Sequence, residues 1–393
     1  MSLYNREADS FTNYLFDTDA DGTYNNIFWH ILEDHTGTLW VGKAKGVLRL
    51  VDHPEMYSSY ENIIEKSYVH DPEDSTSIFA DDVWTLYEDK SGILWLGTDK
   101  GLYKYNNETD NFTRYKPNKK EYYYDRVYSI LEDSKNNFWI GTIGRGLAKF
   151  DRKSCEFEFI SFTSENVYRQ ELPKARNSAN SLQKSIVEDY DGTFWITTSA
   201  GLINFNPISK KFSIFIHNPA NPHSLSLGGD YAHSIYRDHS NVYWVSSTQG
   251  GLNKFSNDEQ FRHIVYNQSD PQGLSNRTVS FIYEDKEGII WIGTGGGILN
   301  KYDRNTNNFT HYPIIALNDN SIVIDYVRCI SEDSDGLLWI GMHLGGLYRF
   351  EKSTGQFTHF SFDPKNTKNV IDNRVTSIAI DESDKLWIGS GSG

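Results

Sequence analysis

Residues 327 to 360 read VRCISEDSDGLLWIGMHLGGLYRFEKSTGQFTHF. Val327 to Glu332 predicts a first strand and Asp333-Ser-Asp-Gly336 a tight turn. Leu338 to Gly341 predicts a second strand, followed by the loop His343-Leu-Gly-Gly346. Leu347 to Phe350 is a third strand, Glu351 to Gln356 another turn, and Phe357 to Phe360 a fourth strand. Short aromatic and β-branched runs joined by Gly, Asn and Asp turns make a four-stranded antiparallel meander. A sheet of this size cannot bury both faces alone, so it needs neighbours of its own kind.

The neighbours are in the sequence. Trp40, Trp95, Trp139, Trp195, Trp244, Trp291, Trp339 and Trp387 recur at spacings of 55, 44, 56, 49, 47, 48 and 48 residues. Six residues before each stands an aspartate: Asp34, Asp89, Asp133, Asp189, Asp238, Asp285, Asp333 and Asp381. Three before stands Gly, Asn or Asp, as in Gly37, Asn136 and Asp384, and nine before stands Ile or Leu, as in Ile31, Leu86, Ile130 and Ile378. A period near fifty with four strands per unit predicts an all-β β-propeller of four-stranded antiparallel blades, spanning residues 1–393 as one domain. No unit sustains a 3.6-residue period, which excludes a helical solenoid. Leu3 to Glu7 and Phe11 to Leu15 read as strands three and four of a blade whose strands one and two are supplied by Val375 to Gly389. These complementary ends predict eight blades with one split closing blade; the alternative is seven closed blades with strands left over.

Composition narrows the function. The net charge is −15, and no Lys/Arg run is present, so nucleic acid is excluded as a partner. Cys155 and Cys329 form no CxxC pair or metal-ligand spacing, which excludes a disulfide framework. No stretch approaches the roughly 18 apolar residues of a membrane span. The first residues lack the apolar core of a signal peptide. With the repeat phase, this reads as a piece of a longer exported protein, tied to a membrane only through segments outside the sequence.

The motif E-D-x-x-G-x-L-W-I-G-T-x-x-G-G-L-x-K/R-F/Y has a near-ideal copy in Glu284-Asp-Lys-Glu-Gly-Ile-Ile-Trp-Ile-Gly-Thr294. A second motif, H-D-P-x-x-x-x-S-L-S, stands between units as His217-Asn-Pro-Ala-Asn-Pro-His-Ser-Leu-Ser226, and with drift as His70-Asp-Pro-Glu-Asp-Ser-Thr-Ser77. In these features the chain resembles the two-component regulator propeller repeat family over essentially its whole length. The resemblance implies the periplasmic sensor part of membrane-bound hybrid histidine kinases of Bacteroidetes, responsive to glycans. Kinase, transmembrane and Ig-like segments that such receptors carry have no counterpart in these residues.

Where the repeats agree, they serve the scaffold. The aspartates are expected to cap their turns, and the tryptophans to fill the space between blades. Where they differ, a site can form. Eleven residues before the tryptophans stand Trp29, Trp84, Tyr128, Lys184, His233, Ser280, Arg328 and Thr376. The loops after them carry Lys43, Asp99, Arg145, Gln249 and His343. In a meander both sets fall on one face, while the Asp-x-x-Gly turns fall on the other, uniform face. Trp29, Trp84, Tyr128, Arg145, His233, Gln249, Arg328 and His343 are therefore the candidate ligand contacts. Aromatic, Arg, His and Gln side chains suit sugar rings, whose apolar faces stack while their hydroxyls take hydrogen bonds.

No cofactor is expected. Asp17-Thr-Asp19-Ala-Asp21-Gly22 has the spacing of a calcium loop, but its twelfth position is Phe28 rather than a bidentate Glu, so a solvated acidic turn is the favoured reading. No nucleophile elbow, zinc helix or phosphate loop is present. The expected function is a non-enzymatic sensor of an oligosaccharide or other small ligand, with a homodimer carrying the signal. The rivals are a polysaccharide lyase or glycosidase on the same scaffold, and a protein-interaction scaffold.

Overall fold

A computed structural model describes residues 2–5, 10–13, 28–51, 63–74, 76–78, 82–116, 126–143, 146–160, 162, 182–198, 201–217, 224–225, 232–247, 251–256, 262–314, 325–361, 373–381 and 384–391. Among these, every sheet has four antiparallel strands, and there are eight such sheets. In chain order, β1 (Ser2–Asn5) and β2 (Ser10–Asn13) come first. β3 (Phe28–Glu33), β4 (Leu39–Lys43), β5 (Gly46–Leu50) and β6 (Ile64–Tyr68) form one blade. β7 (Val83–Glu88), β8 (Leu94–Thr98), β9 (Gly101–Asn106) and β10 (Asn111–Tyr115) form the next. Four further blades follow: β11 (Val127–Glu132), β12 (Phe138–Thr142), β13 (Gly146–Asp151) and β14 (Glu156–Ile160); then β15 (Leu182–Glu188), β16 (Phe194–Thr198), β17 (Gly201–Asn206) and β18 (Lys211–Phe215); then β19 (Ala232–Arg237), β20 (Tyr243–Ser247), β21 (Leu252–Phe255) and β22 (Arg262–Ile264); then β23 (Val279–Glu284), β24 (Ile290–Thr294), β25 (Ile298–Tyr302) and β26 (Phe309–Pro313). β27 (Val327–Glu332), β28 (Leu338–Met342), β29 (Leu347–Glu351) and β30 (Gln356–Phe360) make the seventh blade, and β31 (Val375–Ile380) and β32 (Leu386–Ser390) end the chain.

The last sheet is the split one. Its order is β2-β1-β32-β31, with Leu3 opposite Trp387 and Tyr4 opposite Leu386. The fold is thus an eight-bladed β-propeller closed by strands from both ends of the chain, and the seven-bladed alternative falls. Contacts group the blades into two compact units, residues 1–115 with 313–393 and residues 116–312.

The second strand of every blade is buried along all five residues. Outer strands such as β14 and β30 alternate between exposed and half-buried positions. That gradient explains why the second strands read as continuous apolar runs. The tryptophans do fill the space between blades. Trp40 packs with Leu86, Leu94 and Leu96 of the following blade, Trp139 with Phe194 and Ile196, and Trp244 with Ile290 and Ile292.

The aspartates cap their turns and also hold the tryptophans. Asp285 Oδ1 accepts the backbone N–H groups of Glu287 (3.0 Å) and Ile289 (2.8 Å), while its Oδ2 accepts the Trp291 indole N–H at 2.8 Å. The indole bond recurs in all eight units, from 2.7 Å at Trp244 to 3.2 Å at Trp195. The residue three before each tryptophan has φ between +59° and +84° throughout, which is why only Gly, Asn or Asp stands there.

Candidate functional site

The first strand of each blade is the innermost. In one unit β27, β31, β3 and β7 lie side by side; in the other β11, β15, β19 and β23 do. Each carries an irregularity at one place. Register with the second strand slips between Phe28 and His30, Val83 and Thr85, Val127 and Ser129, Ala232 and Ser234, Val279 and Phe281, Val327 and Cys329, and Val375 and Ser377. In β15 the slip lies between Leu182 and Ile186. The skipped residues are Trp29, Trp84, Tyr128, His233, Ser280, Arg328 and Thr376, with Lys184 inside the β15 slip. The varied positions of the sequence are therefore the bulges of the fold. A bulge leaves its residue out of the ladder and re-aims its side chain. Opposite lies the residue two after the tryptophan, a glycine in six blades and Thr197 or Ser246 in the other two; a Cβ on Gly341 would come within 2.5 Å of Cys329 Sγ and Val375 Cγ1, so there the next blade approaches only a glycine.

Trp29 and Trp84 meet across two blades, with ring centroids 4.4 Å apart and planes tilted by 42°. Both are half-buried, and the indole N–H of Trp29 has no hydrogen-bond partner among the described residues. Beside them His30 is half-buried, and desolvation pushes its imidazole down to about 4; its Nδ1 accepts the Leu86 backbone N–H at 2.9 Å. The neutral ring thus ties β3 to β7 directly below the tryptophan pair. Arg328 and Thr376 occupy the bulges of β27 and β31, neighbouring strands of the same unit.

The rim above the bulges is built by a repeated backbone bridge. The residue four after the tryptophan donates its N–H to the carbonyl of the residue just before the first strand: Asp99 to Asp82, Ile143 to Arg126, Gly295 to Thr278, His343 to Tyr326 and Gly391 to Arg374, at 2.8 to 3.1 Å. In the β27–β30 blade this bridge sets the His343 ring on Tyr326, centroids 4.8 Å apart and nearly parallel at 14°. Asp325 is buried and accepts the N–H groups of Leu344 (2.5 Å) and Gly345 (2.8 Å), fixing the loop. Tyr326 and Leu344 remain exposed at 43% and 60%. Asp99 is likewise committed, accepting the Asp82 N–H at 3.1 Å and pairing with Lys100 at 2.8 Å.

The structure thus brings Trp29 and Trp84 into contact and sets Arg328 and His343 in the same unit but two blades from Trp29, with the split blade between them. Tyr128 is half-buried at the β11 bulge of the other unit. Arg145, Gln249 and the Asp17, Asp19 and Asp21 triplet lie outside the described residues, as does the side chain of His233. Among the described residues no group of three or more His, Cys, Asp or Glu side chains converges as a metal site. Sequence reasoning missed Tyr326, although the position thirteen before the tryptophan varies as widely as the bulge: Asp82, Arg126, Thr278, Tyr326 and Arg374.

Comparison with known proteins follows the repeats. The two component regulator propeller family model matches residues 77–100, 124–144, 273–296 and 321–343. A histidine kinase of Formosa agariphila, P4, is 28% identical over 218 residues, which cover 45% of this chain and 15% of that protein. The extracellular domain of a protein described as a hybrid two component system of B. thetaiotaomicron aligns with a TM-score of 0.43 and 18% identity, covering 93% of this chain and 62% of that one. PorZ, a surface component of the type-IX secretion system of Porphyromonas gingivalis, aligns with a TM-score of 0.56 and 15% identity over 91% of this chain and 50% of that one. The chain spans less than two thirds of the length of each. Four segments of the chain, each spanning the start of a blade, thus resemble repeats of the two-component regulator propeller family.

Proposed function

We propose that the chain is the ligand-sensing ectodomain of an extracytoplasmic, periplasmic two-component sensor, and that it recognises an oligosaccharide at the bulge face without altering it. The family of its repeats and the histidine kinase relative support the sensor reading. The observation that carries the ligand reading is the coincidence of sequence variation with the bulges. Side chains that the ladder releases include an aromatic pair, Trp29 with Trp84, and a cation, Arg328. An aromatic face for the ring and a guanidinium for hydroxyl or carboxylate oxygens form a carbohydrate-type pairing. The described carboxylates Asp99 and Asp325 at the rim are committed to backbone N–H groups, which supports binding over acid–base chemistry. Dimerisation of the ectodomain would carry the signal onward.

The test is a thermal-shift screen of the chain against neutral and acidic oligosaccharides, each hit re-incubated and its products analysed. A ligand that binds only the native state raises the melting temperature. The expected result is a rise with the glycan intact, reduced in Trp84→Ala and Arg328→Ala. Cleavage of the glycan would overturn the reading in favour of a lyase or glycosidase.

A further inference from the structure

The turn face is not uniform throughout. Between the β3–β6 and β7–β10 blades, on that face, lies a groove of about 490 Å³. It runs between the Asp34–Thr38 turn, the Gly92–Leu94 segment and the turn that joins β9 to β10. In a second blade pair of the same chain a cation crosses the corresponding place, and the space there consists of one cavity of about 460 Å³ lined by Arg304 and another of about 360 Å³ lined by His239 and Glu284. In both pairs a tryptophan (Trp40, Trp244) packs against a tyrosine of the following blade (Tyr105, Tyr302). In both, a histidine (His35, His239) pairs with a glutamate at the end of the next first strand (Glu88, Glu284). Register aligns the rest: Trp95 stands opposite Lys104 and Trp291 opposite Lys301, each lysine followed by the tyrosine. Two residues past Tyr302 comes Arg304, which crosses the groove and donates to Asp238 Oδ2 at 2.7 Å and Glu284 Oε1 at 2.8 Å. Two residues past Tyr105 comes Asn107, neutral and too short for either bond. Arg152 and Lys352 hold the same place in their blades and reach Glu132 (2.7 Å) and Glu332 (2.8 Å); in the β15–β18 blade it is Pro207.

The open groove has fixed polar groups over an apolar floor. Trp40 and Ile93 line it, and the Arg49 guanidinium lies over Trp40, 5.9 Å from the ring centroid. Arg49 is held by Tyr105 Oη at 2.7 Å and Glu65 at 2.8 Å, and its Nε is buried with no acceptor among the described residues. Lys104 adds a second cation, while the hydroxyls of Thr36, which donates to Asp34 at 2.5 Å, and Thr38, which donates to Thr36 at 2.9 Å, offer acceptors. The volume falls in the range of about 300–1,000 Å³ usual for small-molecule sites. Donors and acceptors interleaved at short range match a chain of sugar hydroxyls better than an apolar ligand or a single ion.

We propose that this groove is a second binding site, for a short oligosaccharide, left uncrossed because Asn107 stands where other blades carry a bridging cation. It is separate from the bulge face and stands or falls without it.

The experiment is saturation-transfer NMR and calorimetry of the chain with neutral and uronic-acid tri- to hexasaccharides. Asn107→Arg installs a cation of the kind that the chain uses in three other blades, so it should fold and melt no lower than the wild type. At least one oligosaccharide should bind, lose at least tenfold in affinity in Asn107→Arg, and retain wild-type affinity in Trp84→Ala. Lys104→Ala, which only removes a lining group, should weaken the same ligand about threefold or more and decides the matter if Asn107→Arg misfolds. Absence of binding across the set, or binding indifferent to both groove variants, would overturn the proposal.

Discussion

The two ends of each innermost hairpin obey opposite rules. At the turn end, an aspartate, a residue of positive φ and a tryptophan repeat with nearly fixed geometry. At the bulge end, the residue released from the ladder is Trp, Tyr, Ser, Thr, Arg or His depending on the blade. A buried polar network tolerates little change, because each partner lost leaves another unsatisfied. A residue outside the ladder does not share in that repeated network, so its contacts can differ from blade to blade, as Ser280 Oγ on the Gly293 carbonyl and the Trp29–Trp84 pair do. Asp285→Ala should therefore give the largest effect. It orphans the Trp291 N–H and two backbone N–H groups together, and at about 1–3 kcal/mol per buried group it should cost about 4 kcal/mol in a denaturant melt. Asp189→Ala should cost clearly less. There Asp191 has already taken over the Thr193 N–H at 2.8 Å, and the Trp195 bond is the longest of the set at 3.2 Å. Equal losses in the two variants would break the comparison.

His30 sits where the two regimes meet. Burial pushes its imidazole from 6.5 to about 4. The folded state therefore favours the neutral ring, and the stabilisation is fully present above pH 6.5. It is lost as pH falls towards 4, because the unfolded chain takes up the proton first. That lowering corresponds to about 3 kcal/mol, of which about 2 kcal/mol should disappear between pH 6.5 and 5. Denaturant melts across that window should slope in the wild type and be flatter in His30→Gln, whose amide oxygen can still accept the Leu86 N–H. Parallel curves would remove His30 as the link between β3 and β7.

Gly288 tests the turn end from another side. Its φ of +79° and the 2.4 Å between a built Cβ and His239 Cε1 mean that alanine is strained and must displace the imidazole. The expected cost is about 1–2 kcal/mol. Gly37, at φ +84°, has only Glu33 Oε1 nearby, at 3.9 Å, so Gly37→Ala should cost less, its backbone strain alone.

The fold was legible because repetition turns weak local signals into strong ones. A single Asp-x-x-Gly is a turn, but five of them, with two Asp-x-x-Asn and one Asp-x-x-Asp, all in register with a tryptophan, give strand order and face and leave only eight or seven blades to choose between. The split blade was readable from Leu3 and Phe11 because their pattern needed partners that only Trp387 and its neighbours could supply. The bulge row was visible as variation, though not as bulges, since a slipped register leaves no mark on composition. The stack of His343 on Tyr326 joins residues 17 apart through a backbone bridge, which no periodicity encodes. The reading of the turn face as uniform holds for the first turn of each blade and fails for the second. Counted from the tryptophan, Asn107 and Arg304 fall at different offsets, because the β24–β25 loop carries one residue more than the β8–β9 loop. Only the paired register puts them at one place.

The smallest effect should come from the bulges themselves. Arg328 is half-buried at the β27 bulge, and the equivalent residue of the β23 blade is Ser280. Arg328→Ser therefore installs a side chain that this backbone geometry already accepts elsewhere in the chain. It removes no ladder bond, and Val327 and Cys329 keep their pairing with β28. Stability should change by less than about 0.5 kcal/mol, as for substitutions that touch neither core nor network. Affinity for whatever glycan the bulge face binds should fall all the same, because the guanidinium is then missing. A melt unchanged within that limit together with a weakened ligand separates scaffold from site at one residue. A loss comparable to that of Gly288→Ala would mean that the bulge side chains also hold the blades together, and the division between the two ends would fail.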